Sequence, residues 1–99
     1  MKKSYIYIIG NNDKSELKIG YTSNTKSRLG TLQTGRTDKL NIYYEAEVPS
    51  DKVRYIESKI HHNLNHVRIN KEWFKGDLNR FINEIDHAII RYIDDINPI

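Results

Sequence analysis

Residues 5–22 read Tyr5-Ile6-Tyr7-Ile8-Ile9, then Gly10-Asn11-Asn12-Asp13-Lys14-Ser15-Glu16, then Leu17-Lys18-Ile19-Gly20-Tyr21-Thr22. Five β-branched or aromatic residues in a row favour extended backbone, and the run stops at a cluster of turn formers. A second short strand follows, so the chain opens as a β-hairpin with a loop longer than the tightest type. Alternation puts Tyr5 and Tyr7 on one face and Ile6 and Ile8 on the other. Lys18 alternates with Ile19 and, through the hairpin, lies on the tyrosine face.

Working outward, Asn24 or Thr25 caps a helix whose Leu29 and Leu32 are three apart, and Gly35 ends it. Gly30 inside this helix costs about 1 kcal/mol against Ala. Leu40 to Val48 alternates loosely and forms a third strand, which Pro49-Ser50-Asp51 ends while capping what comes next. From Lys52, the spacing of Val53, Ile56, Ile60 and Leu64 predicts an amphipathic helix. Residues 67–74 connect, with a few extended residues at Val67–Ile69 and Trp73–Phe74. Asp77 caps a last helix with the stripe Leu78, Phe81, Ile82, Ile85, Ile89, Tyr92, Ile93 and Ile96. That stripe packs on the domain's own sheet or, as the alternative, forms a homodimer seam. The expected fold is α+β, a small, mostly antiparallel three-stranded sheet flanked by helices in the order β-β-α-β-α-α. Residues 1–75 are read as the core, and 76–99 as a C-terminal helix packed on the same domain.

The 99 residues suffice for one domain, in which folding hides about 65% of the unfolded surface. No cysteine is present, which excludes a disulfide scaffold, iron–sulfur ligation and cysteine-ligated zinc, and fits a reducing compartment. The longest apolar run is Tyr5–Ile9, too short to span a membrane, and the N-terminus does not read as a secretion signal. The expected location is intracellular: cytoplasmic, or a viral factory or nucleoid. Residues 1–36 carry seven Lys or Arg against two acids; residues 37–99 carry nine against eleven. A basic N-terminal third suggests a cationic face suited to a polyanion.

The glycines form neither GxGxxG nor a Walker loop. Glu57 and His61 share a helix face, as do His62 and His66, so Glu57, His61 and His66 could approach a zinc ion together. The spacing is poor for zinc, and a solvated face is the simpler account of His62 and His66. A second constellation is Tyr5, Tyr7, Lys18 and Arg28. A phenol, an ammonium and a guanidinium on one surface suit a phosphodiester, and they suit a wet sheet face equally well.

Taken in order, Tyr5-Ile6-Tyr7, Lys18-Ile19-Gly20, Arg28 and Glu57 resemble the signature of a GIY-YIG nuclease domain. The likeness is to the phage and viral branch whose second motif is Lys-Ile-Gly. That branch also carries a Glu with a His four residues on, and an Arg followed by Glu-Trp-Phe. Here these are Glu57 with His61, and Arg68 with Glu72-Trp73-Phe74. The resemblance covers residues 4–74. No one tripeptide is specific, but the ordered set with these separations is.

The resemblance implies a small endonuclease that hydrolyses DNA by water attack, with Mg²⁺ or Mn²⁺ as cofactor. In it Tyr7 is the general base, Arg28 holds the scissile phosphate, and Glu57 binds the metal. Gly20 lets the second strand run close to its neighbours. Two positions depart from the motif: Tyr5 stands where the family has Gly, and Lys18 stands where many members have Tyr. Tyr5, Tyr21 and His61 are further candidates, and Lys26, Arg36 and Arg68 are the expected nucleic-acid contacts. A phenol titrates near 10, so Tyr7 needs a cation that favours its phenolate, and Lys18 is expected to supply it. Trp73 and Phe74 are expected to anchor the last helix, with Arg68 paired to Glu72 across the bend. DNA is the expected partner, with a separate specificity partner as a further option. The alternative function is a catalytically weak or inactive module that binds nucleic acid or protein on the same fold. A zinc-dependent hydrolase is the remote third.

Overall fold

The computed structural model of the chain describes residues 2–94. Strands β1 (Lys3–Asn11) and β2 (Leu17–Thr22) form the hairpin, with Tyr7 opposite Gly20 and Ile9 opposite Lys18. Its long loop is held by side chains. Asp13 Oδ1 accepts from the Ser15 N–H at 3.0 Å, and Asn11 Oδ1 accepts from the Glu16 N–H at 3.3 Å. Helix α1 (Thr25–Gln33) is capped by Asn24, whose Oδ1 accepts from the Ser27 N–H at 3.0 Å. Gly35, at φ +83°, takes the left-handed conformation that turns the chain away after it.

Strand β3 (Leu40–Pro49) pairs antiparallel with the other side of β1, with a register shift at Ile8/Ile9. Helix α2 (Ser50–Asn63) follows without a loop, two residues earlier than the spacing predicts. Its N-cap is Pro49, and no side chain caps it. The Ser50 hydroxyl instead pairs with that of Ser4 at 2.7 Å, and the Ser50 N–H donates to the Lys2 carbonyl at 3.2 Å. The helix start is thereby fastened to β1.

The expected three strands are five. β4 (Arg68–Asn70) and β5 (Trp73–Phe74) extend the sheet to the order β3-β1-β2-β5-β4, antiparallel at every pairing. Strands of three and two residues are too short to show a period of two, so pattern reading leaves them as a connector. Helix α3 (Leu78–Tyr92) begins at Asp77, whose Oδ2 accepts from the Arg80 N–H at 3.0 Å. Of the predicted stripe, Ile96 lies outside the described residues.

The sheet separates two cores. On one face Ile6, Ile8, Leu17, Ile19 and Phe74 pack with Ile56 and Ile60 of α2 and with Phe81, Ile85 and Ala88 of α3. The rest of the described α3 stripe joins this cluster, so the helix packs on its own domain. Tyr92 meets Tyr55 edge-on at 5.8 Å, and the Tyr44 hydroxyl of β3 donates to the Asp86 carboxylate of α3. On the other face Tyr7, Ile9 and Leu40 pack under Leu29 and Leu32 of α1. The chain is thus three layers: α1, the sheet, then α2 with α3. Among the described residues no helix is long and apolar enough to cross a membrane.

Candidate active site

The site is a notch where β2 outruns β5. β5 pairs only with Leu17 and Lys18, so beyond Lys18 the outer edge of β2 has no strand beside it. At Ile19 that edge is satisfied by other groups. Its N–H donates to the Glu72 carbonyl at 3.0 Å, and its carbonyl accepts from His61 Nε2 at 2.7 Å. α2 therefore touches the edge of the sheet here, and Glu57, one turn before His61, is carried there with it. The notch joins the two faces of the sheet.

From the α1 face come Tyr7, Lys18 and Arg28. Tyr7 is 1% exposed, and its hydroxyl accepts from Arg28 Nε at 3.4 Å. The ring crosses over Gly20. A Cβ on Gly20 would fall 2.5 Å from the Tyr7 hydroxyl, 2.8 Å from its Cζ and 3.0 Å from Glu72 Oε1. This is a close approach that only glycine permits. Burial pushes the Tyr7 phenol above its usual value, opposed by the hydrogen bond and charge of Arg28. The cation working on Tyr7 is thus Arg28. The sequence assigned that part to Lys18, but the Lys18 ammonium is held by Glu72 at 2.9 Å.

Glu72 is the site residue the sequence missed. It was expected to pair with Arg68, and its ion pair is with Lys18. Lys71 adopts a left-handed φ of 47° immediately before it, swinging the carboxylate onto the Lys18 side. The available signal was the polar Lys71-Glu72 pair directly ahead of two aromatics, which becomes readable only once β5 is known to lie beside Lys18. Arg68 is elsewhere: its Nη2 donates to the His61 carbonyl at 3.4 Å, and its guanidinium lies over the Phe74 ring, on the α2 face. Trp73 and Phe74 also separate, because adjacent strand residues point to opposite faces. Phe74 meets Phe81 of α3 edge-on, as expected. Trp73 instead faces the α1 side, between Lys18 and Arg36 at 5.6 and 5.1 Å from its centroid.

Glu57 is 8% exposed, and its Oε2 has no hydrogen-bond partner among the described residues. Burial and the neighbouring Glu72 carboxylate push its carboxyl up to about 7, against the pull of Lys18, Arg54 and Arg68. Burial pushes His61 below its usual value, opposed by its hydrogen bond to the Ile19 carbonyl, to which Nε2–H donates. His62 and His66 are exposed, and among the described residues no three His, Asp or Glu side chains cluster for a metal. A zinc site does not fit. A hard divalent cation that keeps most of its water and takes one carboxylate does fit, because Glu57 Oε2 accepts no hydrogen bond among the described residues and its nearest basic group is His61 Nε2 at 3.9 Å.

The remaining candidates stand apart. Tyr5 shares the Tyr7 face but lies two residues along, beside Lys26 and Glu45. Tyr21 alternates to the α2 face and is 41% exposed. Arg36 is held by Asp38 through two hydrogen bonds of 2.8 and 2.7 Å.

These features define a small α+β domain with one polar notch, in which a buried phenol, a guanidinium, an ion-paired lysine and two carboxylates meet. The family follows from comparison with known proteins: the T5orf172 domain matches residues 4–92, nearly the whole chain, and this chain belongs to that family. The domain is one found in phage-type and homing-endonuclease-like proteins. No curated protein and no solved structure matches the chain significantly.

Proposed function

We propose that this chain is a small metal-dependent endonuclease of the GIY-YIG type, hydrolysing DNA phosphodiester bonds by water attack. The observation that carries the reading is the meeting, at one notch, of a hydrogen-bonded Tyr7–Arg28 pair and a buried Glu57 whose Oε2 accepts no hydrogen bond among the described residues. Arg28 uses Nε on the phenol, and its Nη groups have no partner among the described residues. That leaves the guanidinium fork for two phosphate oxygens and for charge developing on them. Tyr7 Oη is the proton acceptor for the attacking water, and the Arg28 N–H favours its phenolate against the opposing effect of burial. Glu57 holds the metal. When bound, Mg²⁺ there supplies Lewis-acid polarisation of the phosphate, stabilisation of the departing oxygen and further positive potential at Tyr7.

The second reading, a binding module with little or no catalysis, draws on one observation: Tyr7 is 1% exposed, so water must be admitted before it can act. A plasmid-nicking assay separates the two. Wild type and Glu57→Ala are each incubated with Mg²⁺, with Mn²⁺ and with EDTA. Nicking that is lost with EDTA and in the variant supports the nuclease. A folded wild type that retards DNA on a gel and never nicks it supports the module.

A further inference from the structure

The α1 face carries a second concavity, next to the notch and distinct from it. A cleft of about 300 Å³ opens between the first turn of α1 and strands β1 and β3, and its lining includes Tyr5, Asn24, Thr25, Lys26, Ile42 and Glu45. Tyr5 precedes Tyr7 by two residues on one strand face, and Asn24 precedes Arg28 by about one helical turn. Both walls therefore run on from the Tyr7–Arg28 pair, at a distance of about 6 Å.

The lining is wrong for a phosphate, because Glu45 places a carboxylate there. It is right for a planar, amino-bearing heterocycle. Tyr5 and Ile42 offer aromatic and apolar surface, and Glu45 offers an acceptor. Asn24 Oδ1 is taken by the Ser27 N–H, which leaves the Asn24 amide N–H₂ as a donor. Thr25 is 4% exposed, and its Oγ1 has no partner among the described residues. Lys26 is exposed beside the opening, where the sugar–phosphate of the same nucleotide would lie.

We propose that this cleft receives one unstacked nucleobase of the nucleic acid whose backbone lies at Arg28, adenine or cytosine in preference to thymine. The inference rests on the reading that nucleic acid occupies the notch. An exocyclic amino group donates to Glu45, whereas thymine would set a carbonyl oxygen against it. A base within a duplex has both faces stacked and its pairing edge taken, so the base that enters this cleft comes from a single strand, a branch or a flipped nucleotide. Single-stranded or branched DNA is then the favoured substrate.

The test uses the ¹⁵N-labelled full chain in EDTA, titrated with oligo-dA, oligo-dC and oligo-dT hexamers and with a fully paired, blunt-ended DNA duplex of two annealed strands. The expected result is movement of the Thr25, Lys26, Ile42 and Glu45 amides with oligo-dA and oligo-dC, and affinity for oligo-dT weaker by roughly tenfold. The fully paired duplex leaves these amides in place. Glu45→Gln, at an exposed position, flattens the preference, and Ile42→Trp, which fills the cleft, removes the cleft shifts. Equal affinity for all three hexamers, or a preference that survives Glu45→Gln, overturns the proposal. Shifts confined to Arg28 and Lys18 overturn it while leaving the nuclease reading standing. No shifts with any DNA overturn both.

Discussion

At Gly20 the site depends on a single missing atom. Any Cβ there must displace the Tyr7 hydroxyl from 2.5 Å, and Tyr7 is buried on every side. Gly20→Ala is expected to cost about 1–3 kcal/mol in urea unfolding and, on the proposed nuclease function, to abolish cleavage by moving the phenol off Arg28. Glu72 acts through charge. Glu72→Gln leaves the Lys18 ammonium buried without its counter-ion, and the cost is about 1–2 kcal/mol, because the Glu72 side chain is 40% exposed. A Lys18→Met change on top of it should recover most of that loss, and a double-mutant cycle reads this directly. Glu57 sets a pH dependence. Its folded carboxyl, at about 7, lies above its usual 4.5, so the native state binds more protons than the unfolded chain in that window. Stability of the metal-free protein therefore falls as pH rises from 4.5 through 7, by up to about 3 kcal/mol. Thermal melts in EDTA at pH 5 and pH 8 should show the fall, and Glu57→Gln should flatten it. Mg²⁺ should raise the pH 8 melt more than the pH 5 melt; equal effects would remove the metal role from Glu57.

Elements differ in how firmly they are held. α1 carries Arg28 but buries only Thr25 completely, with Leu29 and Leu32 half-buried, so its position rests on a thin contact and the Asn24 cap. α3 is the reverse case, with Phe81, Ile85 and Ala88 buried while Ile90 is 75% exposed on its far side. Ile85→Ala should cost about 2–4 kcal/mol and Ile90→Ala less than about 0.5, measured by urea midpoints. A cost at Ile90 that appears only at high protein concentration would mean that this face contacts a second copy. The shortest elements matter most for chemistry. β5 has two residues, yet where it stops decides which part of β2 is left open to His61, Glu57 and Glu72.

Across the whole molecule, the basic bias of residues 1–36 does not become a broad cationic face. Lys18 and Arg36 are paired to Glu72 and Asp38, whereas Lys26 and Arg28 on the α1 face have no carboxylate partner among the described residues. DNA affinity should accordingly fall with salt at a shallow log–log slope of about −1.5 to −2, as measured by fluorescence anisotropy. Much of this fold was legible in the sequence, because the information is periodic and local. The alternation around Tyr7 and Lys18 set the hairpin and its faces, the 3–4 spacing from Val53 and from Leu78 set two helices, and Asn24 and Asp77 marked their starts. The order of Tyr7, Arg28 and Glu57 along the chain likewise singled them out. What pairs with what across the sheet was decided only in three dimensions. The two added strands are shorter than any period, Lys18 chose Glu72 over Tyr7, and Arg68 and Trp73 went to opposite faces. Those outcomes turn on desolvation and on where a two-residue strand ends. Both depend on neighbours that lie far apart in sequence and become neighbours only when the chain folds.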